Sequence, residues 1–219
     1  MDDNRLKTVR GDYDLIARDY AIHIGGELAG KPFDREILTG FALTVAGRGK
    51  VCEMGCGPGH VSRFLHELGT DVFGLDLSPG MVAEARRLNP DIEFREGNML
   101  ALTLPDSSLA AIVAFYSIVN FPRDSLPTVF AEMHRVLQPQ GFVLIAFHAG
   151  DETLRPAEFW GRSVSMEFFH HPPLRIQQLL REAGFAIVEM RERGPYAPEV
   201  EFQSNRAYIL ARKSDAVDG

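Results

Sequence analysis

The stretch Val51-Cys52-Glu53-Met54-Gly55-Cys56-Gly57-Pro58-Gly59-His60 decides how this chain folds. Val51, Cys52 and Met54 form a short apolar run broken by one acid, Glu53, and the run stops at glycines on alternate positions, Gly55, Gly57 and Gly59. Immediately downstream, His60 to Leu68 places apolar groups at helical spacing, and Pro58 falls near the first turn, where its missing N–H leaves nothing unsatisfied. Strand, glycine turn and helix in that order hold a nucleotide-type ligand at the edge of a parallel sheet, because glycines let the backbone approach the ligand closely. The plainer alternative is a glycine turn that only lets a helix pack on a sheet.

The spacing narrows the ligand. A dinucleotide fingerprint requires G-x-G-x-x-G, and here His60 stands where its last glycine would fall. That disfavours a nicotinamide or flavin cofactor. The pattern E-x-G-x-G-x-G over Glu53 to Gly59 resembles the first motif of the class I S-adenosylmethionine (SAM)-dependent methyltransferases.

Working outward, Asp71 to Ser78 reads as a second buried strand ending in an acid, Asp76. Asp76 follows the glycine loop at the distance where a carboxylate meets a ribose, and its two oxygens can accept from both ribose hydroxyls. The competing role, an acid capping the next helix, is weaker because Leu77-Ser78-Pro79 already supplies a helix start. Leu77 and Met81 then offer apolar contact near an adenine. Ile92 to Glu96 is a third strand, ended by Gly97-Asn98-Met99. Leu109 to Ser117 is a continuous apolar run, as a central strand covered on both faces requires. Its end brings Phe115, Tyr116, Ser117 and Asn120 beside the glycine loop, as the wall between cofactor and substrate. Leu126 to Leu137 has helical periodicity, Pro139-Gln140-Gly141 ends it, and a fifth strand runs from Gly141 to Ala149.

Ahead of the loop, residues 1–48 read as a helical cap on the core. Tyr13, Ile16, Ala17 and Tyr20 share one helix face, and a second helix is expected from Phe33 to Val45. Tyr13 and Tyr20 either face the ligand or simply pack the helix onto the body. Beyond the fifth strand, residues 150–172 form an irregular aromatic segment with Phe159, Trp160, Phe168, Phe169, His170 and His171. Pro173 to Ala183 is an amphipathic helix closed by Gly184, and strands are expected over Phe185 to Arg191 and Ala207 to Lys213. The core thus covers residues 49–213, and residues 214–219 are expected to be a disordered tail.

Composition bounds the partners. A formal charge of −7 on 219 residues, with no basic stripe, argues against broad nucleic-acid binding and favours a small-molecule substrate. No segment is apolar for long enough to cross a bilayer, and the polar start of the chain does not read as a signal peptide, so the expected location is cytoplasmic. Cys52 and Cys56 are the only cysteines and suggest neither a disulfide framework nor a zinc site, and no metal is expected. Oligomeric state, monomer or homodimer, is left open.

With these elements in order, the whole of Tyr13 to Lys213 resembles the small single-domain methyltransferases of the 11/25 type, which act on quinones and other small metabolites. The stretch E-M-H-R-V-L-Q-P-Q-G-F-V-L-I-A-F is especially similar, with Gln140 where glycine is usual. The resemblance implies an α/β, Rossmann-like three-layer sandwich whose seven-stranded, mostly parallel sheet has the order 3-2-1-4-5-7-6, with strand 7 antiparallel. It implies SAM as cofactor, with S-adenosylhomocysteine (SAH) as product. The implied cofactor contacts are Glu53, Gly55, Cys56, Gly57, Asp76, Leu77, Met81, Asn98, Met99, Phe115 and Tyr20. Asn98 stands where the family usually has Asp, and its amide oxygen can accept from the adenine amino group. The expected substrate pocket comprises Tyr13, Tyr116, Asn120, His148, Trp160, Phe168 and His170. His148 and Tyr116 are the candidates for a base, and nothing marks either as catalytic. A SAM-binding protein without catalysis and an NAD-dependent oxidoreductase are the alternatives.

Overall fold

Alternation along the central strands fixes how the layers stack. Cys52, Met54, Ile112, Ala114, Val143 and Ile145 fall into one apolar cluster, and Val51, Val113, Leu144 and Ala146 fall into another. Successive side chains point to opposite sheet faces, so each strand feeds two cores and both faces must be covered. In the computed structural model, which describes residues 1–214, this is what the chain does.

The strands are β1 (Val51–Met54), β2 (Val72–Asp76), β3 (Glu93–Glu96), β4 (Leu109–Phe115), β5 (Leu137–His148), β6 (Phe185–Arg193) and β7 (Arg206–Lys213). They form one seven-stranded sheet in the order 3-2-1-4-5-7-6. β1 pairs in parallel with β2 and β4, β2 with β3, and β4 with β5, whereas β7 runs antiparallel between β5 and β6. The Rossmann-like architecture expected from the sequence is therefore observed. All positions of β1 and β4 are buried.

Helices α1 (Asp3–Ile24) and α2 (Pro32–Val45) precede the sheet. The others are α3 (His60–Glu67), α4 (Pro79–Leu88), α5 (Leu126–Val136) and α6 (Pro173–Glu182). Leu126, Val129, Phe130 and Met133 of α5 and Ile176, Leu179 and Leu180 of α6 fill one face. Leu38, Phe41, Ala42 and Val45 of α2 join Val61 and Leu65 of α3 on the other. So α2 belongs to the sandwich itself, and only α1 lies as a cap. It packs Val9, Ile16 and Ala17 onto Met81 of α4. Asp14 fixes that contact, because its Oδ1 accepts from Ser78 Oγ at 2.6 Å and from the Gly80 amide at 2.8 Å.

Three expectations need adjustment. Helix α1 begins at Asp3, well ahead of the face from Tyr13 to Tyr20 by which the sequence marked it, because Asp2 caps it by accepting from the Arg5 amide. The strand expected from Gly141 starts at Leu137, and its register shifts between Leu109 and Ala111 to pass the Pro139-Gln140-Gly141 bulge. Residues 150–172 are two nested antiparallel ladders, Thr153–Leu154 with Phe168–Phe169 and Glu158–Phe159 with Arg162–Ser163. The inner ladder closes through Trp160 at φ 47° and Gly161 at φ 78°, the left-handed pair that a tight hairpin turn needs. The expected tail lies outside the described residues except for Ser214, whose amide donates to the Gly184 carbonyl.

Candidate active site

The glycine loop turns back beneath the ends of β2 and β4. Gly55 and Cys56 donate their amides to the Leu75 carbonyl at 2.7 and 3.1 Å, which ties the loop to β2. Gly55 has φ 72°, and a Cβ there would lie 2.4 Å from the Ser117 Cβ, so only glycine lets β4 approach this closely. Gly57 differs. At φ 51° its absent Cβ would meet only the Tyr20 ring, at 3.8 Å, so the space it leaves belongs to the crevice.

That crevice is lined by α1, the loop and the C-terminal ends of β1 to β4, the place where open α/β sheets bind ligands. Among the expected cofactor contacts, Tyr20, Glu53, Gly55, Cys56, Gly57, Asp76, Leu77, Met81, Asn98, Met99 and Phe115 all line it. Asp76 is buried, and its Oδ2 accepts from the Gly57 amide at 2.8 Å while Oδ1 accepts from the Ser78 amide at 2.9 Å. Each oxygen keeps a lone pair for an incoming hydroxyl. Burial pushes the Asp76 carboxyl up to about 6 despite those amides. Glu53, buried on the α3 side, accepts from Ser62 Oγ at 2.5 Å, and burial raises it to about 7. Asn98 Oδ1 accepts from the Leu100 amide at 2.9 Å, so its side chain shapes the turn as well as facing the crevice. Cys56 spends its amide on Leu75 of β2, and its thiol is buried against α4 and β3.

The sequence did not single out Glu27 or His60 as contacts, yet both line the crevice together with Ser117, which was expected in its wall. His60 reaches Glu27 across 3.1 Å, and its Nδ1 is buried with no partner among the described residues, as is Ser117 Oγ. Burial favours neutral His60, but the Glu27 carboxylate outweighs it and raises the ring's affinity for protons. These unpaired polar atoms, the Gly57 space and the half-used Asp76 carboxylate fit a polar, ribose-bearing cofactor such as SAM.

A second cavity, about 470 Å³, opens beside the crevice and shares Tyr20, Glu27 and Tyr116 with it. Its inner wall adds Lys31, His148, Glu201 and Arg206, and its rim His23, Glu199 and Phe202. Tyr116 sits at φ 56°, an uncommon conformation for an aromatic residue, held by its hydroxyl donating to Asp34 Oδ1 at 2.9 Å. Of the expected pocket residues, Tyr13 and Asn120 line the cofactor crevice and are bonded to each other at 3.2 Å, Tyr116 faces both spaces, and His148 lines the second cavity. Trp160, Phe168 and His170 line neither. Trp160 stacks on His23 with centroids 4.8 Å apart, Phe168 packs edge-on against Phe159, and His170 lies buried behind His148, stacked at 5.2 Å. The hairpin turns their rings inward onto the protein rather than toward the cavity. Among the described residues no group of three or more His, Cys, Asp and Glu side chains is placed to hold a metal, and no helix is long and apolar enough to cross a membrane.

A sheet of this order with a glycine loop and a strand-end acid defines the class I methyltransferase architecture. Comparison with known proteins carries this further: residues 51–141 match the family model described as a methyltransferase domain. That match takes in the glycine loop, Asp76 and Asn98 and covers less than half of the chain. The chain is 33% identical over 145 residues to a probable S-adenosylmethionine-dependent methyltransferase of Mycolicibacterium smegmatis, covering 65% of this chain and 53% of that protein. It is 33% identical over 119 residues to the trans-aconitate 2-methyltransferase of Escherichia coli, covering 53% and 45% respectively. The chain thus spans about half the length of these curated relatives. Among solved structures, the Burkholderia thailandensis 1,6-didemethyltoxoflavin-N1-methyltransferase, with its substrate and SAH bound, superposes with a TM-score of 0.71. That match has 19% identity and covers 97% of this chain and 90% of the other, a likeness of fold.

Proposed function

We propose that this chain transfers a methyl group from SAM to a small-molecule acceptor held in the second cavity. The observation that carries the reading is the shared boundary, since Tyr20, Glu27 and Tyr116 border both the cofactor crevice and the cavity. The acceptors named for two of the similar proteins, trans-aconitate and 1,6-didemethyltoxoflavin, are small molecules, which supports an acceptor of that size.

When bound, SAM supplies a methyl group on a cationic sulfonium, already activated toward displacement. The protein's work is then positioning and exclusion of water. Asp76 accepts ribose hydroxyls, and the Gly57 gap lets the backbone lie against the cofactor. Tyr13 and Tyr20, from α1, close the crevice from above. At the boundary, the hydrogen bond from Tyr116 to Asp34 keeps its ring from swinging into the transfer path.

The test has two stages. SAH is expected to raise the melting temperature and NADH is not, because a ligand of the native state stabilises by mass action. Labelled methyl should then pass from SAM to a component of a metabolite extract. Absence of any SAM or SAH shift would overturn the reading, whereas SAH binding with no acceptor in any extract would point to a SAM-binding protein without catalysis.

A further inference from the structure

The cavity wall around His148 contains a hydrogen-bonded chain that fixes what this side chain can do. Arg206, almost fully buried, donates through Nη1 to Ser204 Oγ, and Ser204 Oγ lies 2.6 Å from His148 Nδ1. Since the serine oxygen already accepts from the guanidinium, its hydroxyl hydrogen is free to be donated, and among the described residues the acceptor within its reach is His148 Nδ1. Nδ1 is then an acceptor, and the ring's single proton resides on Nε2. Nε2 has no bond to the protein among the described residues and is not among the buried unpartnered atoms, so it is open to the cavity that His148 lines.

The surroundings keep the ring neutral. Burial, then the Arg206, His170 and Lys31 charges, push His148 down to about 3. Other groups facing the inner cavity are engaged too. Glu27 holds Lys31 at 2.5 Å and His60 at 3.1 Å. Glu201 is shared by Arg193, Arg206 and Lys31, and the Tyr116 hydroxyl directs its hydrogen to Asp34. Among the described residues lining the cavity, Tyr20, His23 and Glu199 have no such bond; Tyr20 borders the cofactor crevice, and His23 and Glu199 stand at the exposed rim. Lys31 and Arg206 lie 5.7 and 5.5 Å from the centre of the Tyr116 ring, so positive charge flanks the boundary from the cavity side. Arg206 also keeps its Nε without a partner among the described residues.

The geometry points to His148 as a hydrogen-bond donor that positions the acceptor rather than a base, and to an acceptor bearing a carboxylate that takes the Nε2–H with Lys31 and Arg206 behind it. This rests on the methyl-transfer reading above and names the chemistry of its substrate. A carboxylate accepts the N–H, while an ammonium group offers only donors to a donor, and the pull of Lys31 and Arg206 on it is partly offset by the Glu27 and Glu201 carboxylates that they share.

The experiment uses the full chain loaded with SAH, with loading verified by thermal shift so that failure of cofactor binding is recognised separately. Side-chain nitrogen NMR on isotope-labelled histidine, assigned with the His148→Gln variant, is expected to show the His148 proton on Nε2 and no protonation between about pH 5 and pH 8. In the Ser204→Ala variant, proton density should appear on Nδ1 and the ring should titrate at higher pH. Benzoate is the binding probe and benzylamine its counterpart of equal ring size. Benzoate should perturb the His148 Nε2 signal, bind at least about tenfold more weakly to His148→Ala, and recover most of that loss in His148→Gln, which restores a donor. A proton on Nδ1, a His148 midpoint near the ordinary histidine value, or benzylamine binding as tightly as benzoate would overturn the inference even if SAH binds normally.

Discussion

Asp76 ends β2 with each carboxylate oxygen taken once, by the amides of Gly57 and Ser78. Asp76→Ala removes the remaining acceptors and also frees those amides, and hydrogen bonds to a charged group contribute about 1.5–3 kcal/mol each. SAH affinity measured by calorimetry should therefore fall by roughly 10–100-fold. Glu53 makes a separate prediction through pH. Its folded value, about 7, lies above its ordinary value of 4.5. Stability from this group is thus fully present below the ordinary value and is lost as pH rises through about 7. Glu53→Gln keeps an acceptor for Ser62 and cannot ionise. In the SAM-free protein it should match wild type near about pH 5 and exceed it near about pH 8, by about 1–3 kcal/mol in the denaturant midpoint. Both acids were legible in the sequence because their role follows from local order: a strand, then a turn, then a charge. Glu27, Lys31 and Arg206 were not. What makes them part of the site is a meeting of α1–α2, β4 and β7, and no spacing along the chain records it.

At the level of elements, the bulge opening β5 shows what a single substitution in a familiar pattern does. Gln140 was visible as the residue standing where the resembling family has glycine, and it adopts φ 62°. Its Cβ strains the left-handed conformation by about 1 kcal/mol. Gln140→Gly should therefore stabilise the protein by up to about 0.5 kcal/mol in thermal unfolding, the relief being partly offset by glycine's freedom in the unfolded chain. The next residue responds in the opposite sense. A Cβ on Gly141 would lie 2.9 Å from the Gln138 carbonyl oxygen and 3.1 Å from that of Ala110, so Gly141→Ala should destabilise by about 1–3 kcal/mol. Strand existence was readable here from the apolar run, but the start at Leu137 was not, since Pro139 and Gly141 signal a break and the β4 pairing overrides it. The 150–172 segment was misread for a related reason: each of its strands is two residues long, below the length at which alternation can be recognised.

Across the whole molecule, two long-range devices hold the two N-terminal helices to the rest of the fold. The first is buried and ionic. Asp34 of α2 accepts from Arg193 at the end of β6, 159 positions away, and from the Tyr116 and Tyr208 hydroxyls. The second is α1, which is attached to α4 through Asp14 and the Val9, Ile16, Ala17 and Met81 contact, while Tyr13 and Tyr20 roof the crevice. The cofactor site is therefore bounded below by the rigid sheet and above by a helix with few fully buried residues, and a ligand between them touches both. A ligand that touches both ties α1 down, since binding to the native form stabilises by about 2.7 kcal/mol at a hundredfold excess over Kd. SAH should accordingly slow amide exchange in α1 by roughly up to a hundredfold, to the extent that α1 opening and ligand release are one event. Protection of β4 and β5, which open only with global unfolding, should rise only as far as global stability does. Asp14→Ala, which severs α1 from the start of α4, should speed α1 exchange in the SAH-free protein and leave the central strands unchanged. Equal protection of α1 with and without SAH, measured by exchange and mass spectrometry, would show that the bound cofactor does not tie α1 down.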